Sequence, residues 1–519
     1  MRRGPLTPAP LPPGEGFRRP RPSGIASLNA AIWSICDVLR RSKCAGAMQY
    51  VPELTWLLFL RVLEDKERAQ QGEAEAVGAA FAPSLKSPYR WRDWAAPGGP
   101  KRKELENGAL GAFFGFVNGE LIPHLKSLAH SPNASARQKI IGEALSGVER
   151  TRIDTEKNLL DVLDRVDALN LHAADGTHMF PLSQVYEGLL LKMGDKGNDG
   201  GQFFTPREII RAVVRAIDPQ PGETVYDPCC GTGGFLAEAF NHVTAHFKVD
   251  AGVEEVEALG TRTLFGREKE DLVYPLALAN LMLHGVDRPH IWHGNTLTGG
   301  ATYDGLWRDP PAQFDVVVTN PPFGGKEGKE AQSAFAYKTS ATQILFLQHV
   351  IDNLKKGGRC GIVVDEGVLF RNNEGAFVQT KRRLMDSCDL WAIVSLPAGA
   401  FVNAGAGVKT DLMFFTKGER TQSVWYYDLS DVKVGKKTPL TLDRFDPFFA
   451  LLPTRGDSAR SWTVSRAAIE AKKFDLKAVN PNRKIEIDAR TPAEILGSVE
   501  KRHEEVGQAL RALRALVGH

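Results

Sequence analysis

The chain has 519 residues, enough for several domains, and 43% hydrophobic with 24% charged residues is typical of globular proteins. Its net charge of +3 excludes nucleic-acid binding by bulk charge alone, and the absence of a CxxC pair among six cysteines argues against a zinc site. We therefore predict a reduced, cytoplasmic protein with no metal site. Since no apolar stretch reaches the roughly 18 residues of a membrane span, and the first residues lack a signal-peptide core, we expect no membrane association.

Residues 1–24 form a segment rich in proline and arginine, with seven prolines and five arginines between positions 2 and 24. Such a composition buries too little apolar surface to offset the cost of ordering the chain. It predicts a disordered tail. A nucleic-acid-binding arm is the alternative interpretation.

Helical periodicity begins at Ile25 and continues, with breaks at 95–103 and 131–135, through about residue 170. Apolar residues repeat at three-and-four spacing, which is typical of amphipathic helices. This pattern predicts an all-helical N-terminal domain over residues 25–192. The Gly- and Asp-rich stretch 193–202 predicts a hinge or lid in front of the next domain.

Residues 193–480 alternate between short apolar runs and helical patterns. Six of the runs are expected to be strands. In chain order they are TVYD, TLFGRE, IWHGN, FDVVVTN, GRCGIVVD and LWAIVSLP. This alternation predicts an α/β domain with a Rossmann-like, doubly wound, mostly parallel sheet. Residues 409–418 and 423–429 are expected to add strands at the edge of that sheet.

Residues 481–519 predict a long amphipathic helix. Thr491, Pro492 and Glu494 form a capping-box pattern with proline at the first helical position. Apolar residues then follow at three-and-four spacing through Val517. The helix is expected either to pack back on the body of the chain or to contact a partner protein.

The first candidate site is the glycine-rich turn VYDPCCGTGGF at residues 225–235. A strand ends at Asp227, and a helix follows the turn, so the backbone can approach a ligand at the carboxyl edge of the sheet. The turn lacks the Lys-Ser/Thr of a phosphate-binding loop, which argues against a nucleoside triphosphate. Glu268 ends the next strand, where it could accept ribose hydroxyls or lie solvated. The turn residues are Gly231, Thr232, Gly233 and Gly234.

The second candidate site is GQFFTPREII at residues 201–210. Thr205 and Glu208 have the spacing of a capping box, which is sufficient to explain this segment. A helix N-terminus beside two aromatic residues could also hold a carboxylate or help to enclose a ligand.

The third candidate site follows the apolar run 314–318, where Asn320, Pro321, Pro322 and Phe323 end the strand. Two prolines terminate a strand because they cannot donate hydrogen bonds to the ladder. The residues also suit chemistry on an exocyclic amine, whose lone pair is delocalised into a base. The Asn320 side-chain oxygen and the Pro321 carbonyl could accept its two hydrogens, while Phe323 stacks on the base.

Five motifs in chain order carry a family resemblance: QFFTPREII, DPCCGTGGF, GREKEDLVYPLALANLMLHG, HGNTL and NPPFGG. Together they resemble the modification (methyltransferase) subunit of type I restriction-modification systems, which are adenine-specific DNA methyltransferases. WLLFLRVLEDKE in the helical region and LPAGAFVNAGAGVKTDLMFF at 396–415 are similar to further parts of that family. The resemblance covers most of the chain.

The resemblance implies S-adenosylmethionine as methyl donor, with Asn295 near its adenine ring. It further implies that Asn320, Pro321, Pro322 and Phe323 catalyse transfer to the N6 amine of an adenine flipped out of double-stranded DNA. A specificity subunit and a second modification subunit are the implied partners, and a restriction subunit can join them. The remaining cofactor-binding residues implied are Gln202, Phe203, Phe204, Thr205, Pro206, Arg207, Asp227, Gly231, Thr232, Gly233, Gly234 and Glu268.

Direct in-line transfer without a covalent intermediate is the mechanism that these residues favour. A cytosine-ring methyltransferase would need a cysteine nucleophile, but Cys229 lies inside the cofactor turn, where it is expected to fill apolar space. Two alternatives remain open. One is a solitary methyltransferase acting on RNA adenine or protein glutamine, and the other is a non-catalytic scaffold that binds cofactor or DNA.

Overall fold

A computed structural model of the chain describes residues 25–42, 44, 47–169, 205–247, 253–286, 288–301, 306–307, 310–402, 407–435, 438–482 and 491–517. The predicted tail at 1–24, the predicted hinge at 193–202 and the candidate residues Gln202, Phe203 and Phe204 lie outside these ranges. The domain boundaries stay predictions.

The described N-terminal region is helical, as predicted. Two of its helices begin where side chains satisfy free backbone groups: Ser135 and Gln138 form a capping box, and Thr155 accepts from the Asn158 N–H. The helices are α1 (Ile25–Arg41), α2 (Ala47–Ala76), α3 (Trp91–Trp94), α4 (Pro100–Glu106), α5 (Ala112–Phe116), a π-helix (Val117–Leu121), α6 (Ile122–Ser127), a 3-10 helix (Leu128–His130), α7 (Ala136–Ala144) and α8 (Glu156–Asp167).

The strands of the described residues form one ten-stranded sheet in the order β10-β9-β7-β8-β6-β5-β1-β2-β3-β4. Five central neighbours, β3, β2, β1, β5 and β6, pair in parallel. In chain order the strands are β1 (Val225–Asp227), β2 (Leu264–Glu268), β3 (His290–Asn295), β4 (Gly300–Ala301), β5 (Phe314–Thr319), β6 (Leu354–Asp365), β7 (Cys388–Ser395), β8 (Thr410–Lys417), β9 (Ser423–Asp428) and β10 (Ser461–Ser465). The six predicted strands are confirmed.

The expectation that residues 409–418 form an edge strand is wrong. Strand β8 lies inside the sheet and pairs antiparallel with both β6 and β7. Strand β9 is likewise covered, since β10 pairs with its outer side. Burial explains the interior position, because every residue from Thr410 to Phe415 is buried and such a strand needs a neighbour on both sides.

Helices cover both faces of the sheet, as a doubly wound fold requires. One buried cluster joins the N-terminal helices to one face, and a second fills the other face. Beyond residue 204 the described helices, in chain order, are α9 (Arg207–Ile217), α10 (Gly234–His246), α11 (Val253–Arg262), α12 (Tyr274–Leu283), α13 (Lys329–Ser333), α14 (Thr342–Asn353), α15 (Glu366–Phe370), α16 (Gly375–Ser387), a 3-10 helix (Leu442–Phe445), α17 (Asp446–Leu451), α18 (Arg466–Ala471) and the C-terminal helix α19 (Pro492–Val517).

The helical region packs on the sheet domain through α12. Lys66 of α2 donates from Nζ to the carbonyl of Met282 at 2.7 Å, near the C-terminal end of α12. A cation there is favourable because the last carbonyls of a helix carry partial negative charge. The N-terminal helices therefore brace the part of the sheet that carries β1 to β3.

The C-terminal helix α19 begins as predicted. The Thr491 N–H donates to Glu494 Oε2 at 2.6 Å, and the Glu494 N–H donates back to Thr491 Oγ1 at 3.3 Å. Its apolar side chains are largely exposed, including Leu496 at 63% and Leu510 at 53%. No helix of the described ranges combines the length and apolar character needed to cross a bilayer.

Candidate active site

Four strands end together at one edge of the sheet and bring candidate residues with them. Asp227 ends β1, Glu268 ends β2, Asn295 ends β3, and Asn320 follows β5. Because β3, β2, β1 and β5 are adjacent and parallel, their carboxyl ends meet at one edge, where ligands of open α/β sheets bind. The structure thus gathers residues separated by more than ninety positions.

Asp227 ties the end of β1 to the end of β5. Its Oδ1 accepts from the Thr319 hydroxyl at 2.7 Å and from the Cys229 N–H at 3.2 Å. Burial raises the pKa of Asp227 to about 7, although both hydrogen bonds act in the opposite direction. In this way the residue before Asn320 is fixed to the first strand.

The glycine turn is braced by Glu268. Its Oε2 accepts from the Gly231 N–H at 2.9 Å, and its Oε1 accepts from the Glu270 N–H at 2.8 Å. Burial raises the pKa of Glu268 to about 7. Each carboxylate oxygen has a further lone pair, so ribose hydroxyls could still be accepted.

Internal packing accounts for part of the glycine content of the turn. Gly231 and Gly233 have φ values of 54° and 77°, which a residue with a Cβ rarely adopts. A Cβ on Gly234 would lie 2.9 Å from Cδ1 of Ile210 on α9. The Thr232 carbonyl accepts from Asn280 Nδ2 at 2.8 Å, which ties the turn to α12.

Asn295 lies at the same edge, but its side-chain oxygen is engaged within its own loop. Oδ1 accepts from the Leu297 N–H at 3.0 Å. The next residue, Thr296, donates to the Pro228 carbonyl at 2.5 Å and so joins this loop to the glycine turn. If Asn295 contacts a ligand, we therefore expect its side-chain NH2 group to make the hydrogen bond.

The predicted capping box at Thr205 is wrong. Helix α9 starts at Arg207, its N-cap is Pro206 without a side-chain bond, and Glu208 instead pairs with Arg211 at 3.4 Å. The Thr205 hydroxyl oxygen accepts from Asn320 Nδ2 at 2.9 Å. The physical reason is that Pro206 takes the cap position, which leaves the threonine side chain available to β5.

Asn320 has its side-chain oxygen buried. Oδ1 has no hydrogen-bond partner among the described residues, although Nδ2 is held by Thr205. A buried acceptor without a donor is costly unless a ligand supplies one. The arrangement can accept a hydrogen bond from an amine placed at the end of β5.

Pro321 and Phe323 flank this acceptor. The Pro321 carbonyl accepts from Gln343 Nε2 at 3.1 Å, which uses one of its two lone pairs. The half-buried ring of Phe323 meets the buried ring of Phe401 edge-on, with centroids 5.4 Å apart and planes at 90°. One ring is thus fixed beside the motif by another aromatic residue, while Pro322 is half-buried.

Comparison with known proteins decides the family. Residues 178–489 match the N-6 DNA methylase family model, and residues 28–164 match the HsdM N-terminal domain. The methylase subunit of the type I restriction enzyme EcoEI from Escherichia coli is 33% identical over 516 residues, which cover 95% of this chain and 98% of that protein. The chain belongs to the type I restriction enzyme methylase subunits.

Further relatives agree with this assignment. The EcoKI methylase subunit of Escherichia coli K12 is 32% identical over 81% of this chain and 75% of its own length. A solved type I restriction-modification chain superposes with a TM-score of 0.68 at 37% identity, covering 96% of this chain and 99% of that one. This methylase subunit is therefore an adenine-specific DNA methyltransferase, which methylates the N6 amine.

Several residues of this methylase subunit's site are not apparent from motif reading. Thr319 holds Asp227, Asn280 holds the glycine turn, and Gln343 holds Pro321. The sequence does contain a signal for Gln343, because a buried glutamine interrupts the apolar helix TQILFLQHVI. Polar residues in such a run need a hydrogen-bond partner inside the protein.

The cysteines of the turn lack the character of nucleophiles. Burial raises the pKa of Cys229 and of Cys230 well above the usual thiol value, and nearby carboxylates add to the effect. The Cys229 sulfur lies 3.1 Å from Thr319 Oγ1. Protonated, hydrogen-bonded thiols fill space here, which agrees with a methylase subunit that forms no cysteine adduct.

Two other features of the methylase subunit lie away from this edge. A cavity of about 720 Å³ is lined by Lys139, Arg262 and Arg288 near the amino ends of the strands. Asp218, His242 and His246 come within 4.8 Å of one another, but His242 pairs with Asp218 at 2.7 Å and two of the three are exposed. We assign neither feature to the reaction.

Proposed function

We propose that Asn320, Pro321, Pro322 and Phe323 form the catalytic segment of this methyltransferase. The observation that carries the proposal is the buried Oδ1 of Asn320 at the carboxyl edge of the sheet, which has no hydrogen-bond partner among the described residues. An adenine amine has two hydrogens to donate. Among the described side chains at the end of β5, only Asn320 offers a buried acceptor that lacks a partner. The target base would lie against Phe323 after leaving the duplex.

In the proposed mechanism the Asn320 oxygen and the second lone pair of the Pro321 carbonyl accept the two N6 hydrogens. Two acceptors draw the nitrogen towards tetrahedral geometry, so its lone pair is less delocalised into the base. With the donor bound, the nitrogen would attack its methyl carbon in line while the bond from that carbon to the sulfonium sulfur breaks, so that the sulfur leaves as a neutral thioether and the excess proton of the amine is lost to solvent. Positioning supplies most of the rate enhancement, because no covalent intermediate forms.

S-adenosylmethionine is the proposed donor, and it supplies an electrophilic methyl group on a sulfonium. Glu268 has lone pairs left for the ribose hydroxyls, and the positive-φ turn at Gly231 to Gly234 brings backbone to the same edge. Asp227 and Asn295 border the turn, Thr205 to Arg207 lie beside Asn320, and Gln202, Phe203 and Phe204 precede them in sequence. Among the described residues, Glu268 and the glycine turn are the groups that would hold the nucleoside part of the donor.

We further propose that a specificity subunit reads the DNA sequence and docks on α19. The exposed apolar face of α19 supports this, since such a face normally lies against another protein surface. A second modification subunit and a restriction subunit would complete the assembly. The proposed units are a tail at 1–24, a helical domain at 25–192, a catalytic domain at 193–480 and a partner helix at 481–519.

Base-resolved sequencing of DNA from cells expressing the chain tests this proposal. With its specificity subunit the chain should place N6-methyladenine at one defined sequence, and without that subunit methylation should be absent. A chain that methylated DNA alone, without sequence preference, would contradict the proposed division of labour.

A further inference from the structure

Helix α14 carries a glutamine that contacts the catalytic segment from behind. Gln343 is 4% exposed and sits at the second position of the helix. Its Nε2 donates to the Pro321 carbonyl at 3.1 Å, and its Oε1 accepts from the Asp365 N–H at 3.0 Å. One side chain therefore connects the segment after β5 to the end of β6.

These two bonds fix the orientation of the amide. A backbone N–H can only donate and a backbone carbonyl can only accept, so the oxygen must face Asp365 and the nitrogen must face Pro321. Rotating the amide by half a turn would place its NH2 group against the Asp365 N–H and its oxygen against the Pro321 carbonyl, so neither hydrogen bond could form. Because Gln343 is buried, the mismatched polar groups would lie inside the protein, where an unmade hydrogen bond is costly.

We propose that Gln343 is a positioning residue for methyl transfer, holding the Pro321 carbonyl so that its second lone pair faces the adenine amine. This inference rests on the proposed role of Pro321 as an acceptor. Both acceptors are then held by a second residue: Thr205, which precedes α9, bonds the Asn320 amide, and Gln343 on α14 bonds the Pro321 carbonyl. Each hydrogen of the amine then meets an oxygen whose direction is set by a second residue.

Proline alone does not supply this restraint. The ring of Pro321 fixes its own φ, whereas the direction of its carbonyl depends on ψ. The hydrogen bond from Gln343 restrains that remaining angle. The hydrogen bond from the adenine amine to the Pro321 carbonyl forms only when the base is bound. A small displacement of that carbonyl would lengthen this bond and slow the transfer.

A purely structural role for Gln343 would also tie β5 to β6, and Gln343→Glu separates the two roles. A neutral carboxyl group at this position can donate its O–H to Pro321 and still accept from Asp365. An ionised carboxylate can only accept, so it would repel the Pro321 carbonyl. The activity of Gln343→Glu relative to the native chain should fall roughly tenfold as pH rises from 6 to 9, because burial raises a carboxyl pKa into this range.

Gln343→Leu removes the donor at all pH values. In the assembled methyltransferase, kcat should fall roughly 10- to 100-fold while KM for the methyl donor is unchanged. Gln348→Leu is the matched control, since Gln348 is also buried on α14 and bonds the N–H and the carbonyl of Tyr337, both at 2.9 Å. It should lower the melting temperature by a similar amount and keep the native kcat.

The outcomes distinguish this inference from the function on which it rests. If Asn320→Ala abolishes transfer while Gln343→Leu keeps the native kcat, the catalytic segment stands and the role of Gln343 is wrong. A Gln343→Glu profile that runs parallel to the native pH profile would also overturn it, even if the variant were less active throughout. If Asn320→Ala itself stays active, the proposed catalytic segment fails first.

Discussion

The side-chain amide of Asn320 donates to the hydroxyl oxygen of Thr205 across 115 positions of sequence, at 2.9 Å. In this orientation of the amide, Nδ2 is paired with Thr205, and Oδ1, which has no partner among the described residues, is left as the acceptor at the ligand edge. Thr205 precedes α9, and Asn320 follows β5. The segment before α9 is thereby coupled to the proposed catalytic amide.

We expect Thr205→Val to lower kcat at saturating methyl donor by roughly tenfold or more. Valine has the shape of threonine but cannot accept from Asn320 Nδ2, and an unpaired buried donor costs about 1–3 kcal/mol. Thr205→Ser keeps the hydroxyl and should stay near the native rate. Steady-state rates measured at several donor concentrations provide the check, and a native kcat for the valine variant would contradict this role.

We expect the free energy of unfolding of the ligand-free protein to decrease as pH rises from 5 to 8, and to decrease less in the Asp227→Asn variant. Burial raises the pKa of Asp227 to about 7, so between its unfolded value and 7 the folded state binds more protons than the unfolded state. Folding stability then decreases as pH rises through this window. Asparagine does not ionise, and its oxygen can still accept from Thr319 and the Cys229 N–H.

Chemical unfolding at pH 5 and pH 8 measures this difference. The loss of unfolding free energy between the two pH values should be about 1–3 kcal/mol smaller in Asp227→Asn than in the native chain. Equal losses in the two chains would mean that Asp227 is already ionised in the folded protein at pH 5.

Cys229→Ser should keep methyl transfer. The buried thiol has a raised pKa, and serine can maintain a hydrogen bond to Thr319. A nucleophilic role would instead predict complete loss of activity together with loss of a covalent enzyme–DNA adduct. Transfer assays combined with intact-mass measurement of the native chain on DNA distinguish the two.

Removing α19 should separate assembly from folding. A chain ending at residue 490 should keep its melting temperature, because the apolar side chains of α19 are largely exposed and contribute little to the core. It should fail to co-purify with the specificity subunit, which we propose docks on those side chains. The paired substitution Val506→Asp and Leu510→Asp should have the same effect. Glu504→Gln, about half a helical turn from Val506, is the control that should still assemble.

Local sequence patterns account for much of this fold. The strand that ends at Thr319 follows from an apolar run before two prolines, and the start of α19 follows from Thr491 and Glu494. These features depend on neighbours within a few residues. The central position of β8 does not, because it is set by pairing with β6 and β7.

The candidate site divides in the same way. Motifs indicate Asp227, Glu268 and Asn320, and parallel pairing of β2, β1 and β5 brings them to one edge. The bond from Asn320 to Thr205 competes with a capping box that the local sequence favours equally well. Only the tertiary structure decides between them, and Gln343 likewise acquires its role from contacts with the segment after β5 and with the end of β6.

The most direct test of the central claim is methyl transfer by Asn320→Ala in the assembled enzyme, measured beside binding of S-adenosylmethionine. The buried acceptor is lost while Glu268 and the glycine turn are untouched. Transfer to adenine should therefore fall at least about 100-fold, with donor affinity unchanged. Transfer at a near-native rate would contradict the assignment of Asn320 as the acceptor for the adenine amine.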